Sequence, residues 1–127
     1  MVTTIRSEER RVTTTPNASM TTLASPTLGL TSDLSMWQVE MTAGAQGPRH
    51  VFDTEQVWTV LAGRLRVAVA DAEVADMEPG DTIVLRADVE RQISATTAVR
   101  LLVCGRGNAV ARVPGEDTPR GTPPWIA

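Results

Sequence analysis

The sequence has no lysine and no tyrosine, and it contains one histidine, one cysteine and one phenylalanine. The missing residues exclude a Schiff-base lysine and a tyrosine general acid. The lone Cys104 excludes an internal disulfide, and no Cys/His spacing typical of zinc sites is present. Because no activating base can be identified for Cys104, we expect a buried, inert thiol.

Basic clusters and long apolar runs are also missing. The net charge is -3 and the isoelectric point is near 5.1, whereas nucleic-acid binding needs a clustered basic surface. No run of about eighteen apolar residues could span a membrane, and the N-terminus lacks the apolar segment of a signal peptide. We therefore predict a cytoplasmic protein that binds neither nucleic acid nor a membrane.

The 127 residues are the length of a single domain, and their pattern is one of short strands. No helical periodicity extends over a long window. Alternating apolar residues and Gly/Pro turns predict strands over residues 34–42, 64–70, 73–77, 82–85, 89–95 and 98–104. Asp71-Ala72 is predicted to turn the second of these strands into the third. Many short strands of this kind indicate an antiparallel sandwich or barrel.

Residues 44–63, GAQGPRHVFDTEQVWTVLAG, contain the only histidine and the only phenylalanine of the chain. Residues two apart on a strand point to the same face. The residues that share this parity are His50, Phe52, Gln56, Trp58 and Val60. One face is therefore predicted to carry an imidazole, a carboxamide and two aromatic rings.

The spacing of this stretch resembles the first motif of the cupin superfamily. That motif is a glycine, five residues, His-x-His, three or four residues, Glu, six residues and a glycine. The sequence has Gly44, five residues, His50-x-Phe52, three residues, Gln56, six residues and Gly63. The spacing is complete, but two of the three metal-ligand positions are changed.

The second cupin motif is matched in the same way. It consists of a glycine, five residues, Pro-x-Gly, two residues, His, three residues and Asn. Gly80 of this chain is followed at those places by Arg86, Asp88, Arg91 and Ala95. The spacing is again retained, and the position of the ligand histidine is taken by Arg91.

The resemblance implies an all-β fold, a cupin-type jelly-roll barrel built as a double-sheet antiparallel β-sandwich. We predict a flexible segment over residues 1–17, with room for one edge strand, and the barrel over residues 18–113. Residues 114–127 are predicted to form an extended tail. Burying Trp125 would contribute roughly 2 to 3 kcal/mol, so we expect the tail to dock on its own barrel or on a partner subunit.

In metal-binding cupins the two motifs supply ligands that converge on one cation, and the resemblance places that site here at His50, Phe52, Gln56 and Arg91. Phe52 has no lone pair, and the guanidinium of Arg91 has no acceptor and stays charged. A guanidinium about 5 Å from a dication in an effective dielectric of about 20 repels it by roughly 6 to 7 kcal/mol. We therefore predict no metal cofactor, and keep a divalent metal held by an altered ligand set as the alternative.

The predicted catalytic residues are His50, Gln56 and Arg91. His50 would move a proton, while Gln56 and Arg91 would stabilise developing negative charge. The alternative for His50 is a structural imidazole bonded to the barrel wall, and for Gln56 a structural amide. The predicted substrate-binding residues are apolar: Trp37, Met41, Phe52 and Trp58. Their alternative role is that of ordinary core residues.

A buried Arg91 would need an anionic partner, since an unpaired buried charge is costly. Glu40, Glu55 or Asp88 could supply it, or a carboxylate or enolate of the substrate could. A third possibility is that Arg91 reaches the surface.

These observations predict a small-molecule-binding cupin that promotes a metal-independent isomerisation, cyclisation or dehydration of an apolar molecule. The resemblance to small single-domain cupins implies that this molecule is a natural-product intermediate, for example a polyketide-like one. One alternative is a metal-dependent cupin oxygenase or isomerase, and another is a non-catalytic ligand-binding cupin. Since cupins commonly pair, we also expect a homodimer.

Overall fold

The chain folds into antiparallel strands, described for residues 2–70 and 73–127 by a computed structural model. A short 3₁₀ helix, Ser7–Glu9, precedes them. The strands are β1 (Arg11–Thr14), β2 (Ser19–Ala24), β3 (Leu34–Met41), β4 (Val51–Phe52), β5 (Gln56–Ala62), β6 (Leu65–Val69), β7 (Glu73–Met77), β8 (Thr82–Leu85), β9 (Arg91–Ala95), β10 (Val99–Arg106) and β11 (Ala111–Arg112). None of the described residues forms a helix with the length and apolarity to cross a bilayer.

One layer of the fold is a six-stranded sheet with the order β1-β2-β3-β10-β5-β8. The long strand β10 lies between β3 and β5, so that Val103 is opposite both Trp37 and Trp58. The alternation predicted for residues 34–42 is present on β3, where every second side chain from Ser35 to Met41 is buried. This sheet therefore presents two large indole rings to the interior.

The second layer consists of β7-β6-β9 and the short pair β11-β4. Two isolated antiparallel bridges extend it: His50 pairs with Arg91, joining β4 to β9, and Ala111 pairs with Gly121, joining the tail to β11. The resulting order is β7-β6-β9-β4-β11-tail. The predicted hairpin is the pair β6-β7, and its predicted turn, Asp71-Ala72, lies outside the described residues.

The core lies between the inward faces of the two layers. Its fully buried side chains include Trp37, Leu65, Val67, Leu85 and Leu101. Both layers contribute, as period-two alternation requires of two sheets that pack face to face. The predicted jelly-roll sandwich is therefore confirmed.

Two turns of the motifs use left-handed backbone. Gly63 has a φ of +80°, and a Cβ added there would lie 1.9 Å from the carbonyl oxygen of Ala98. Asp88, at a glycine position of the second motif, has a φ of 63°, a conformation that Asp tolerates better than most residues. The amide of Asp88 donates to the carbonyl of Phe52 at 2.8 Å, which ties the two motifs together.

The two ends of the chain both join the sandwich. Within the segment 1–17, β1 forms the outer strand of the six-stranded sheet. The tail leaves the second layer at Gly121 and crosses to the first, where the Thr22 hydroxyl donates to the carbonyl of Trp125 at 2.7 Å. The side chain of Ile126 is completely buried in the core. The tail thus spans the gap between the two layers at one end of the sandwich.

Candidate functional site

A cavity of about 440 Å³ lies between the two layers, within the size range of small-molecule sites. Apolar side chains from both sheets line it: Met20, Trp37, Val39, Met41, Phe52, Trp58 and Ile93. Polar lining groups include His50 and Gln56, and residues 120–125 of the tail form another part of the wall. The cavity is thus apolar, with a few polar groups that can orient a ligand.

Six of the seven predicted site residues line this cavity. They are His50, Gln56, Trp37, Met41, Phe52 and Trp58. Arg91, the seventh, is not part of the wall. Its side chain is 1% exposed and contacts two residues that do line the cavity, Gln56 and Phe52.

Gln56 begins β5 and is 1% exposed. Its carboxamide oxygen accepts two hydrogen bonds, from Arg91 Nη2 at 2.7 Å and from Trp58 Nε1 at 3.1 Å. Because both partners can only donate, the oxygen must be the atom that faces them. The amide nitrogen Nε2 is buried and has no hydrogen-bond partner among the described residues.

Arg91 begins β9 and shares its inward parity with Ile93. Its guanidinium carbon lies 4.6 Å from the centroid of the Phe52 ring, a cation–π contact. Burial lowers the pKa of Arg91 to about 10, so the side chain is charged at neutral pH. Its Nε and Nη1 have no hydrogen-bond partner in residues 2–70 and 73–127.

None of the carboxylates considered for Arg91 pairs with it. Glu55 faces the surface, where it pairs with Arg86 at 3.4 Å. Across the described part of the chain, neither Glu40 nor Asp88 forms an ion pair with Arg91, and the low exposure of Arg91 excludes the surface alternative.

His50 is half-buried and precedes β4. Its Nδ1 lies 2.9 Å from the carbonyl oxygen of Pro48, which can only accept, so Nδ1 carries the proton and Nε2 has the lone pair of the neutral ring. Its ring meets that of Phe52 edge-on, with centroids 5.1 Å apart. Burial and, to a smaller extent, the charge of Arg91 lower the pKa of His50, against the opposing effect of the Pro48 bond.

The donor set at the four motif positions does not fit a metal ion. His50 is the single good ligand, Phe52 has no donor atom, and the oxygen of Gln56 is already occupied by Arg91 and Trp58. The guanidinium of Arg91 brings a positive charge to the place where the other ligands would converge. Elsewhere in the described residues, no group of three or more His, Cys, Asp or Glu side chains is placed to hold a metal.

Other lining residues were not predicted. The tail residues Arg120 and Thr122 and the turn residues Thr15 and Asn17 all reach the cavity. For the tail, the apolar Trp125 indicated that the segment would dock, but it did not indicate on which part of the fold. Nothing in the sequence indicates that the turn residues line the cavity, because their position depends on the pairing of β1 with β2.

A neighbouring depression of about 630 Å³ lies at the ends of β3 and β10. It shares Met41 and part of the residue 15–18 turn with the cavity, and it contains Glu40 and Arg100. Neither His50 nor Gln56 reaches it. We therefore place the candidate site in the smaller cavity, where His50 and the unpaired amide nitrogen of Gln56 lie on one wall.

Comparison with known proteins identifies the fold independently. The family model described as a cupin domain matches residues 37–105, slightly more than half of the chain. No curated protein sequence matches the chain.

Several solved structures are similar in fold. An RmlC-like cupin from Shewanella frigidimarina superposes with a TM-score of 0.68 at 19% identity, covering 81% of this chain and 88% of that one. KdgF from Halomonas sp. gives 0.69 at 20% identity, covering 81% and 93%. Salicylate 1,2-dioxygenase from Pseudoaminobacter salicylatoxidans, in a structure with gentisate, gives 0.71 at 19% identity, covering 86% of this chain and 32% of that one. At these identities the likeness concerns the fold.

Proposed function

The chain belongs to the cupin family, and on that premise we propose that it binds an apolar small molecule in its barrel and promotes a metal-independent isomerisation, cyclisation or dehydration. The proposal rests on one observation: His50 and Gln56 share the wall of a predominantly apolar cavity of about 440 Å³. A proton acceptor and a hydrogen-bond donor in an apolar site are the two groups that enolisation needs.

His50 is the proposed base. The Pro48 carbonyl holds the Nδ1 proton, so the lone pair is on Nε2, and the lowered pKa of His50 keeps the ring neutral at pH 7. Nε2 would take a proton from a carbon next to a carbonyl group. The C–H electron pair would become the π bond of an enolate, and the negative charge would go to the carbonyl oxygen.

Gln56 is the proposed donor to that oxygen. Its Nε2 is buried and unpaired among the described residues, and its oxygen is held by Arg91 and Trp58. Return of the proton from His50 to another carbon would give an isomer. Transfer of that proton to a departing β-hydroxyl would release water and give a dehydrated product.

The apolar wall supports a ligand with a flat or extended hydrocarbon body. Trp37, Met41, Phe52 and Trp58 all lie on the lining. Three of these four side chains are aromatic, and aromatic rings bury large ligand areas. An apolar, polyketide-like intermediate with a carbonyl group fits this description. The same wall would equally serve a non-catalytic cupin that binds such a ligand, and turnover separates the two.

A suitable experiment follows hydrogen exchange at the α-carbon of β-tetralone, an apolar bicyclic ketone, in D₂O by NMR. The wild type is expected to accelerate exchange above the buffer rate, and His50→Gln is expected to lower the rate by about 100-fold, the usual size of a general-base contribution. Gln46→Glu, an exposed change, serves as the control. Binding of β-tetralone without accelerated exchange would favour the non-catalytic alternative.

The metal-dependent alternative has a separate test, elemental analysis of protein purified without added metal or chelator. The proposal expects substoichiometric divalent metal. A near-equimolar metal that resists dialysis, together with activity lost on chelation, would contradict the donor-set argument and favour an oxygenase or metal isomerase.

We further propose that the protein is a cytoplasmic homodimer. Cys104 is a free thiol that is half-buried rather than fully buried as we expected, and a free thiol suits a reducing compartment. On the outward face of the six-stranded sheet Met36, Cys104, Val57 and Val84 are cross-strand neighbours in one continuous row. An uncharged row across four strands is a natural surface for a second copy of the chain.

A further inference from the structure

We infer that the cavity selects ligands with an ionised oxygen, a carboxylate, phenolate or enolate, held by Gln56 Nε2 with the buried charge of Arg91 behind it. This inference deepens the proposed function and rests on it. It adds the charge of the ligand, which neither the apolar wall nor the imidazole specifies.

The orientation of the Gln56 amide is the first support. Arg91 and Trp58 both donate to its oxygen, so the amide cannot turn over without losing two bonds. Nε2 is consequently held away from them, and Gln56 lies on the cavity wall. A buried donor without a partner is unfavourable, and an oxygen of the ligand would pair with it.

The charge of Arg91 is the second support. It is buried, with a neutral amide and an aromatic face as its contacts. No carboxylate among the described residues forms an ion pair with it. The sequence left open whether a protein carboxylate or a ligand supplies the compensating charge. In the described part of the chain none of Glu40, Glu55 and Asp88 does so, and the ligand remains among the sources that the sequence analysis considered.

Arg91 transmits its charge through Gln56 rather than by direct contact. A cationic donor to Oε1 withdraws electron density from the amide and strengthens its N–H groups as donors, as hydrogen-bond chains do in a low dielectric. Arg91 is therefore a positioning and polarising residue. The second cation near the cavity, Arg120, lies on the tail and is paired with Glu116 at 2.6 Å, so its charge is already balanced.

The motif positions give this arrangement a simple interpretation. Arg91, Gln56 and Phe52 stand where three metal ligands stand in metal-binding cupins, and the guanidinium contacts both other residues. The positive charge that a metal would bring to such a barrel is here part of the chain. Anion preference would then be independent of any added metal.

The test compares two probes that differ in charge and not in shape, octanoate and octanamide, by isothermal titration calorimetry at pH 7 with EDTA present. We expect octanoate to bind at least tenfold more tightly than octanamide. Gln56→Glu replaces the amide by a carboxylate that pairs with Arg91, and it is expected to abolish or reverse this preference. Gln46→Glu makes the same chemical change on the surface, where Gln46 bonds to Ser94, and should leave the preference unchanged.

The outcomes separate the two proposals. If neither probe binds, the proposed small-molecule site itself is wrong. If both bind equally well, the cavity binds apolar molecules and the anion inference is wrong. A preference for octanoate that survives in both Gln56→Glu and Arg91→Met, or that is found only when EDTA is left out, would assign the selectivity to another cation and overturn the inference.

Discussion

His50 is the one histidine of the sequence, and its burial predicts a pH dependence of stability. The pKa of His50 in the folded state is lowered, so between that pKa and about 6.5 the unfolded chain binds more protons than the folded chain. Stability therefore falls as the pH decreases from about 7.5 through 6.5, and this contribution levels off below the folded pKa. We expect the urea midpoint of the wild type to decrease over this window.

His50→Gln provides the control, because glutamine can still donate to the Pro48 carbonyl and does not titrate. Its urea midpoint should be nearly constant between pH 7.5 and 5.5. The carboxylates with a lowered pKa, Asp76 and Glu116, lose their stabilising effect at a lower pH, below about 4.5. An equal slope in the variant and the wild type would show that His50 is not desolvated.

At the scale of single residues, the sequence predicted which side chains share a face of a strand. It did not predict which side chains they contact across the core. Phe52, Gln56 and Trp58 lie on one inward face because a strand alternates locally, which a sequence displays directly. The partners of Arg91 depend on how β9 packs against β5, strands that are distant in sequence. The two-donor arrangement at the Gln56 oxygen was for that reason not predictable.

At the scale of structural elements, the tail is predicted to contribute both to the stability of the fold and to ligand binding. Ile126 is fully buried and anchors the segment that forms one wall of the cavity. Ile126→Ala is expected to lower the free energy of unfolding by about 2–4 kcal/mol and to weaken octanoate binding, since the wall is then held less firmly. Urea denaturation and calorimetry measure the two effects.

Val74→Ala is the matched control, because Val74 is 53% exposed on β7 in the other sheet. It should change stability by less than about 0.5 kcal/mol and leave binding unchanged. If Ile126→Ala lost stability while its affinity for octanoate stayed at the wild-type value, the tail would be structural and would have no part in binding.

The strands that were predicted correctly are those determined by local sequence, and those that were missed depend on long-range pairing. The predicted strands 82–85 and 73–77 match β8 and β7, because their turns and alternation are local. The short strands β4 and β11, and the bridge between Ala111 and Gly121, depend on long-range pairing. The Pro- and Gly-rich composition of the tail predicted an extended segment, but it could not indicate which strand the tail would join.

For the whole molecule, the outward face of the six-stranded sheet predicts pairing. Met36 and Val57 are each 38% exposed and Val84 is 47% exposed, although all three are apolar. Six strands about 4.8 Å apart and about 20 Å long present roughly 600 Å². That area is at the lower end of what each partner buries in a standard interface, so a second copy packed on this face would form a dimer of modest affinity.

Val57→Glu tests this interface, because it places a charge near the centre of the row, between Cys104 and Val84. We expect the wild type to sediment at twice 13.6 kDa and Val57→Glu to sediment as the monomer, with β-tetralone exchange retained because Val57 points away from the cavity. Val74→Glu adds the same charge to an exposed valine of the second layer and should remain dimeric.

A wild type that is monomeric at concentrations up to about 100 μM, or a Val57→Glu variant that stays dimeric, would show that the row does not join two copies. Oligomers larger than a dimer that persist in Val57→Glu would place the contact on another surface. The edge strands β1 and β8 of the six-stranded sheet are such a surface, because an edge strand can pair with a strand of another chain.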